Sequence, residues 1–230
     1  SFMALNIKSA KDFGEIKGTY LIYGPPGMGK TTTIKYLPGK TLLLDVDRTS
    51  HVLKGSENID VIEIDNVHTW DSWGETLTEL GKMDLSDYET IAVDNVSELE
   101  RCFLADLGRQ GKNRGVPAMG DYQYMQFKMV DSLRYLKQLG KRVIWTAWET
   151  TDKYVDASGQ KWNRTYPQLS TKIINNVLGL CDVVGKMMIS KDDERGFVLE
   201  ASNSTYAKNQ LDDRKGAKQN ELVPLSGKDR

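Results

Sequence analysis

The sequence has few cysteines, no long apolar run and almost no net charge, and each shortage excludes a class of protein. Its two cysteines, Cys102 and Cys181, stand in apolar surroundings. This favours buried thiols in a reducing cytoplasm over a disulfide framework. The apolar runs lie at 20–23, 41–44, 91–93 and 143–148. Each is too short to span a bilayer, so we expect no membrane partner.

The formal net charge of −1 excludes a protein whose whole surface attracts polyanions. Any contact with nucleic acid must therefore come from local basic segments. No cluster of cysteine and histidine has the spacing of a zinc site. The length of 230 residues suits one large domain or a domain with a small appendage.

The two ends of the chain are expected to lie outside the folded domain. Ser1-Phe2 before Met3 has the form of an expression remnant, and we expect the natural chain to begin at Met3. We expect no secretory signal peptide, because the opening residues lack a charged and an apolar region. We expect one domain over 3–214, followed by a polar, flexible tail over 215–230.

Between these ends, apolar runs alternate with helical patterns. The predicted strands are 19–23, 41–46, 59–64, 90–94 and 142–148. The predicted helices are 31–37, 69–83, one opening on a capping box at 97–100, and 122–139, with a Gly-rich basic loop over 108–121. Continuous apolar strands separated by helices favour an α/β fold with a mostly parallel central sheet. Two more strands, 183–190 and 196–202, predict a C-terminal antiparallel hairpin around a charged turn.

One motif carries specific chemistry, because it follows an apolar strand and opens a helix. It is the P-loop Gly24-Pro25-Pro26-Gly27-Met28-Gly29-Lys30-Thr31. Gly27 and Gly29 let backbone N–H groups turn toward phosphates, and Lys30 places a charge on them. We expect ATP to bind residues 24–32, Thr32 included. The alternative is a chance Gly/Pro turn after an edge strand.

A magnesium ion bound with the nucleotide needs oxygen ligands. The hydroxyl of Thr31 is one. Asp94 ends the apolar strand 90–94, which places it at the carboxyl edge of the sheet where ligands of such folds bind. The alternative role for Asp94 is to cap the following helix.

A carboxylate is also expected to orient the attacking water. Asp45 and Asp47 stand at the end of one strand, and Glu149 follows another. All three are expected at the same sheet edge. Strand alternation puts Asp45 and Asp47 on the same side, so it does not choose between them.

Two stretches carry a family resemblance: 43–47 (LLDVD) and 91–99 (IAVDNVSEL). They resemble the RecA-like recombinase core, and more closely the small phage-encoded P-loop ATPases of the Sak-type single-strand annealing group. The resemblance covers about 17–222. It implies that Asp94 is the magnesium-binding acid and that Asp47 activates water, although the family usually has Glu at that position.

The resemblance also implies roles for two later segments. The strand ending at Glu149 is similar to the one that senses the γ-phosphate, which makes Thr146 and Glu149 candidates. Trp148 stands where many relatives carry Gln or His. Lys208 matches a residue that reaches across a subunit interface to the neighbour's phosphates, and Gln210 stands where a second cation is common. A homo-oligomeric ring or filament is implied.

Two segments are predicted to contact single-stranded DNA. The segment 108–115 holds cations and glycines without an acid, and 161–166 interleaves cations with aromatic residues. The candidate DNA-binding residues are Arg109, Lys112, Arg114, Lys161, Trp162 and Arg164. The alternative for each segment is a solvated surface loop.

The motifs predict a magnesium-dependent ATPase, and the family resemblance implies that it belongs to a phage recombination system in the bacterial host cytoplasm. We expect it to promote annealing or pairing of single-stranded DNA, with slow or DNA-stimulated turnover, beside a phage or host single-strand binding protein. One alternative is a small-molecule P-loop kinase. Another is a nucleotide-gated regulatory module that hydrolyses poorly, because Asp47 replaces Glu and Gln210 replaces a cation.

Overall fold

The computed structural model describes residues 4–14 and 16–224. Its strands are β1 (Thr19–Tyr23), β2 (Thr41–Asp45), β3 (Ile59–Glu63), β4 (Thr90–Asp94), β5 (Arg142–Ala147), β6 (Glu149–Val155), β7 (Lys161–Pro167), β8 (Val183–Ile189), β9 (Arg195–Val198), β10 (Lys208–Asn209) and β11 (Gly216–Lys218). Its α-helices are α1 (Lys30–Thr33), α2 (Thr69–Lys82), α3 (Val96–Gln110), α4 (Met119–Gln138) and α5 (Ile174–Leu180). Short 3-10 turns cover Ala10–Asp12, Ile34–Tyr36, Ser50–Leu53 and Gln219–Glu221.

The central sheet runs in the order β11-β9-β8-β1-β5-β4-β2-β3, with β10 added beside β8. The six strands from β8 to β3 in this order are parallel. The three remaining strands, β9, β10 and β11, pair antiparallel. The predicted α/β class, the mostly parallel sheet and the C-terminal hairpin are confirmed.

Alternation along the strands divides the core between the two faces of the sheet. On β1, Leu21 and Tyr23 join the cluster that packs under α2, α3, α4 and α5. Tyr20 and Ile22 join the opposite cluster, which includes Ile34 and Phe197. Both faces of β1, β2 and β4 are covered, and this explains their continuous hydrophobic runs.

The start of α3 differs from the sequence prediction. Asn95, not Ser97, is the N-cap, and its side-chain oxygen accepts hydrogen bonds from the backbone N–H groups of Ser97 and Glu98. The hydroxyl of Ser97 instead donates to the carbonyl oxygen of Gln168 and accepts from the backbone N–H of Trp148. The predicted capping box is therefore wrong, because β4 ends one residue before Asn95 and the helix begins immediately after it.

Residues 149–167 form a separate two-stranded antiparallel sheet, β6–β7, that the sequence analysis did not assign. Its polar side chains lack the apolar alternation of a half-buried strand, since β6 is mostly exposed. The hairpin leaves the carboxyl end of β5 directly, so it begins at the sheet edge where ligands of parallel sheets bind.

The C-terminal segment also differs from the expected flexible tail over 215–230. Residues 216–218 pair with β9, and Leu222 and Val223 are buried against the second cluster. Isolated apolar residues in polar sequence carry no periodic signal, so this docking was not visible in the pattern. Residues 225–230 and the predicted remnant at 1–2 lie outside the described residues. Across 4–14 and 16–224, no helix has the length and apolar character to cross a membrane.

Candidate active site

The carboxyl ends of four parallel strands meet around one cavity of about 480 Å³. The loops after β1, β2, β4 and β5 all contribute, because parallel strands present these ends to the same edge. The predicted residues that line it are Pro26, Gly27, Gly29, Lys30, Thr31, Thr32, Asp47 and Asp94. Lining residues outside the predicted set are Tyr36, Thr49, Val52, Asn95, Trp148, Arg195 and Gln219.

Two glycines of the P-loop adopt a backbone conformation that is rare for other residues. Gly27 and Gly29 have positive φ values of 78° and 97°, a region that side-chain-bearing residues rarely adopt. The Lys30 amine donates to the carbonyl oxygens of Gly24 and Pro25 at 2.8 and 2.9 Å. Burial lowers the pKa of Lys30, and the nearby carboxylates oppose this shift. Lys30 is thus a buried residue whose amine is held by the carbonyl oxygens at the start of the P-loop.

Asp94 is the centre of a hydroxyl network. Its Oδ2 accepts from Thr31 Oγ1 at 2.6 Å and from Thr49 Oγ1 at 3.2 Å. Its Oδ1 accepts from Thr146 Oγ1 at 2.6 Å. The Asp94 side chain is nearly fully buried. Since a buried carboxylate needs partners, the threonines both stabilise it and fix its direction toward the P-loop.

The residues at this point fit a magnesium ion held together with a nucleotide. Thr31 and Asp94 offer a hydroxyl and a carboxylate within hydrogen-bond distance of each other, and Mg²⁺ prefers such oxygen ligands. In the described part of the chain no group of three or more His, Cys, Asp or Glu side chains gathers around a metal position. A site with few protein ligands is typical of Mg²⁺ that is also bound by phosphates.

Asp45 and Asp47 take different positions although strand alternation placed them on one side. The backbone N–H groups of Val46 and Asp47 both donate to the carbonyl oxygen of Asp94, so the chain leaves the pleated pattern after Asp45. Asp45 is fully buried, and its Oδ1 accepts from the backbone N–H of Arg48. Asp47 lines the cavity. Of these two acids, only Asp47 therefore faces the P-loop cavity.

The Asp47 carboxyl has a perturbed acidity. Its pKa is raised to about 6, chiefly by burial and then by the negative charges of Asp94, Glu98 and Asp45, while Lys30 opposes the shift. A carboxyl with a pKa close to neutral pH is a suitable proton acceptor. Perturbed carboxyls in a cleft are also typical of functional sites.

Thr146 and Glu149 occupy supporting positions. Thr146 is buried and its hydroxyl is bonded to Asp94, so it contacts the cavity only through that carboxylate. Glu149 forms an ion pair with Lys186 of β8 at 3.1 Å and does not line the cavity. Trp148, between them, does line it, and its ring packs against the Arg101 guanidinium at 4.7 Å.

Lys208 lies away from the cavity of its own chain. Its amine donates to the carbonyl oxygen of Leu178 in α5 at 3.0 Å. It pairs with Val184, which lies beside Leu21 in the middle of β1, whereas the P-loop follows the end of β1. Contact with a phosphate would therefore have to involve a neighbouring subunit, which stays a prediction. Val52, in the turn after Thr49, lines the cavity as well.

The first predicted DNA segment is partly helical. α3 continues through Gln110, and Arg109 donates to the carbonyl oxygen of Val67 and lies 3.9 Å from Asp106. Lys112 and Arg114 are exposed on the loop that follows. Two of the three predicted cations in this segment therefore face solvent without such contacts.

The second segment lies on the β6–β7 hairpin. Arg164 is half-buried among three tyrosine rings, Tyr154, Tyr166 and Tyr206, with centroid distances of 4.1, 5.7 and 5.5 Å. The Trp162 indole N–H donates to Asp156 at 2.9 Å within the hairpin. Lys161 is exposed at the start of β7. Arg164 and Trp162 thus stabilise the hairpin, and Lys161 is its freely exposed cation among the three.

Arg195 and Gln219 are cavity residues that the sequence analysis missed. Arg195 Nε donates to the carbonyl oxygen of Met28 at 2.9 Å. Gln219 Nε2 donates to the carbonyl oxygen of Gly29 at 3.1 Å and to Thr33 Oγ1 at 3.2 Å. Arg195 ends a charged turn and Gln219 stands in the segment expected to be flexible. No motif marks either residue, and only their packing brings them to the P-loop.

Comparison with known proteins agrees with this geometry. A search of curated proteins finds no significant match. A family model described as an AAA domain matches residues 16–211, most of the chain and all of the cavity except Gln219. The chain therefore belongs to this AAA-domain family of P-loop ATPase-like proteins.

Proposed function

We propose that this protein binds ATP with Mg²⁺ in the P-loop cavity and hydrolyses it. The observation that carries the proposal is that one cavity is lined by the P-loop residues Lys30 and Thr31, by Asp94 and by Asp47, whose pKa is raised to about 6. Membership of the AAA-domain family supports ATPase activity independently of the geometry.

Each residue has a role that follows from its position. Lys30 exchanges its bonds to the Gly24 and Pro25 carbonyls for phosphate oxygens when nucleotide enters. Thr31 and Asp94 would hold Mg²⁺, which supplies neutralisation of phosphate charge when bound. Asp47 accepts a hydrogen bond from the attacking water and orients it, since it is ionised above a pH of about 6.

The test compares Lys30→Ala with Lys35→Ala. Lys35 is exposed one turn further along and does not line the cavity, so it controls for loss of a nearby charge. Calorimetric titration with ATP and phosphate-release assays should show binding and turnover in the wild type and in Lys35→Ala. Both should be lost in Lys30→Ala. Equal turnover in all three proteins would refute the P-loop assignment.

We further propose that the protein binds single-stranded DNA and promotes its annealing or pairing, as the Sak-type group does. The exposed cations Lys112, Arg114 and Lys161 support this, because mobile or protruding cations suit phosphate contacts. The β6–β7 hairpin is also connected directly to the cavity through Trp148. This connection gives nucleotide binding a route to the DNA contact.

Fluorescence anisotropy with single-stranded DNA, with and without ATP, tests this second proposal. Lys161→Ala should weaken binding and reduce its salt dependence, whereas Lys82→Ala, an exposed change at the far end of α2, should not. Absence of binding at low salt would overturn the proposal. ATP consumption that needs a nucleoside or nucleotide acceptor would favour a kinase instead.

A further inference from the structure

A second cation lies at the P-loop besides Lys30. The Arg195 side chain packs directly on Gly29: a Cβ added to that glycine would lie 3.3 Å from both Arg195 Cδ and Nε. Its Nε–H bonds the Met28 carbonyl, and the residue lines the cavity. The side chain therefore lies against the loop and is held there by its Nε–H donor.

The charge of Arg195 is not neutralised inside the protein. Within residues 4–14 and 16–224, no carboxylate forms an ion pair with it, although the adjoining turn contains Asp192, Asp193 and Glu194. Its one hydrogen bond to the described residues uses Nε, so the Nη donors are not engaged by that part of the chain. A guanidinium with unused donors beside a phosphate-binding loop is suited to accept a phosphate oxygen.

The P-loop is held on the same side by a second contact. Gln219 donates to the Gly29 carbonyl, next to the carbonyl that Arg195 binds. These two hydrogen bonds hold adjacent carbonyl oxygens of the loop in place. The β8–β9 hairpin and the C-terminal turn thus form one wall of the cavity.

We propose that Arg195 is a second phosphate-binding cation of this site, acting within its own subunit. The proposal rests on nucleotide binding at the P-loop as proposed above. Through Nε it holds the loop, and through its Nη groups it contacts the phosphates of the bound nucleotide. It acts in cis, and its role is separate from the one in trans that the family resemblance implies for Lys208.

The test separates charge from loop support with four single variants: Arg195→Ala, Arg195→Lys, Arg195→Gln and Lys191→Ala. Glutamine keeps a donor for the Met28 carbonyl but no charge, whereas lysine keeps the charge. Lys191 lies in the same turn, is exposed and does not line the cavity, so it is the matched control. Calorimetric titration with ADP and with a non-hydrolysable ATP analogue measures affinity, and thermal melting confirms folding.

Arg195→Ala should lower the affinity for both nucleotides by about tenfold. The affinity of Lys191→Ala should stay within about a factor of two of the wild-type value. Arg195→Lys should retain more affinity than Arg195→Gln. Equal affinity in Arg195→Ala and wild type would overturn the proposal. Recovery by glutamine as good as by lysine would also overturn it, since loop support alone would then explain the loss. If the alanine variant fails to fold, the lysine-against-glutamine comparison still decides.

Failure of the underlying function would give a different result. In that case the wild type and Lys30→Ala would bind nucleotide equally poorly, and no Arg195 variant would differ from them. Binding that depends on Lys30 but not on Arg195 would refute only the role of Arg195.

Discussion

At the scale of single residues, the site depends on a carboxylate with three hydroxyl partners. Asp94 is buried, and each of its oxygens accepts a short hydrogen bond from a threonine. Thr31 belongs to the P-loop, while Thr146 comes from the neighbouring strand β5. Thr31 therefore lies where it can contact the nucleotide, whereas Thr146 fixes the orientation of the Asp94 carboxylate.

Thr146→Val keeps the shape of the side chain but removes the donor to Asp94 Oδ1. A buried carboxylate oxygen then loses its partner, and we expect the free energy of unfolding to fall by about 1–3 kcal/mol. Urea denaturation measures this. Thr146→Ser keeps the hydroxyl and should lose clearly less. Equal losses in both variants would mean that packing, not the hydrogen bond, is what Thr146 contributes.

Asp47 gives turnover a pH dependence. Its pKa is raised to about 6, so it becomes protonated as the pH falls through that value. Only the ionised form accepts a proton from water, and phosphate release should therefore decline below a pH of about 6. Asp47→Asn should bind the ATP analogue with wild-type affinity but lose turnover at every pH. Normal turnover in that variant would transfer the role to another group.

The same carboxyl also affects stability, with the opposite pH trend. A folded-state pKa above the unfolded one means that the folded protein binds the proton more tightly. Ionising Asp47 therefore lowers stability as the pH rises from the unfolded pKa to about 6. We expect Asp47→Asn to melt at a higher temperature than wild type at pH 7, and the difference to shrink toward pH 4. A lower melting temperature at pH 7 would contradict this.

At the scale of elements, the start of α3 connects the nucleotide cavity to the β6–β7 hairpin. Asn95 caps the helix and lines the cavity. Two residues later, Ser97 bonds the backbone of Trp148 and Gln168, which flank the hairpin. A shift at the cavity that moves the first turn of α3 would therefore move both ends of the hairpin together.

Asn95→Ala should cost about 1 kcal/mol of stability, because two N–H groups of the first turn lose their acceptor. Asn113→Ala is the control, since Asn113 is exposed in the loop after α3. Chemical denaturation of both variants measures the difference. A cost no larger than that of the control would show that another group caps α3.

At the scale of the whole molecule, two features concern the assembly of several subunits. The N-terminal segment carries Leu5, Ile7, Phe13 and Ile16, each at least 65% exposed, so apolar surface remains uncovered in a single chain. Lys208 bonds within its own subunit and lies away from its own cavity. Both features are compatible with the ring or filament that the family resemblance implies.

If Lys208 acts in trans, Lys208→Ala mixed with Lys30→Ala should recover part of the turnover that each variant lacks alone. The reason is that a mixed interface joins an intact P-loop to an intact Lys208. Light scattering with the ATP analogue and single-stranded DNA should report the assembly in parallel. No recovery, together with normal turnover of Lys208→Ala alone, would exclude the role in trans.

The sequence by itself determined strands β1 to β5, the C-terminal hairpin and the P-loop. β1, β2 and β4 are apolar because both sheet faces are covered, and Gly24–Thr31 needs its glycines for the backbone of the loop. The position of Asp94 at the carboxyl edge of the sheet followed from its place as the last residue of the apolar run that forms β4. These signals are local, since each depends on a few neighbouring residues.

Tertiary structure decided the rest. Only the turn after Asp45, held by the Asp94 carbonyl, separates Asp47 from Asp45. Only packing brings Arg195 and Gln219 to the P-loop from more than 160 residues away in the chain. It also encloses Arg164 among tyrosines, whereas its sequence context indicated a free cation. Contacts between distant segments leave no period or motif in the sequence, and they become visible only when the chain is folded.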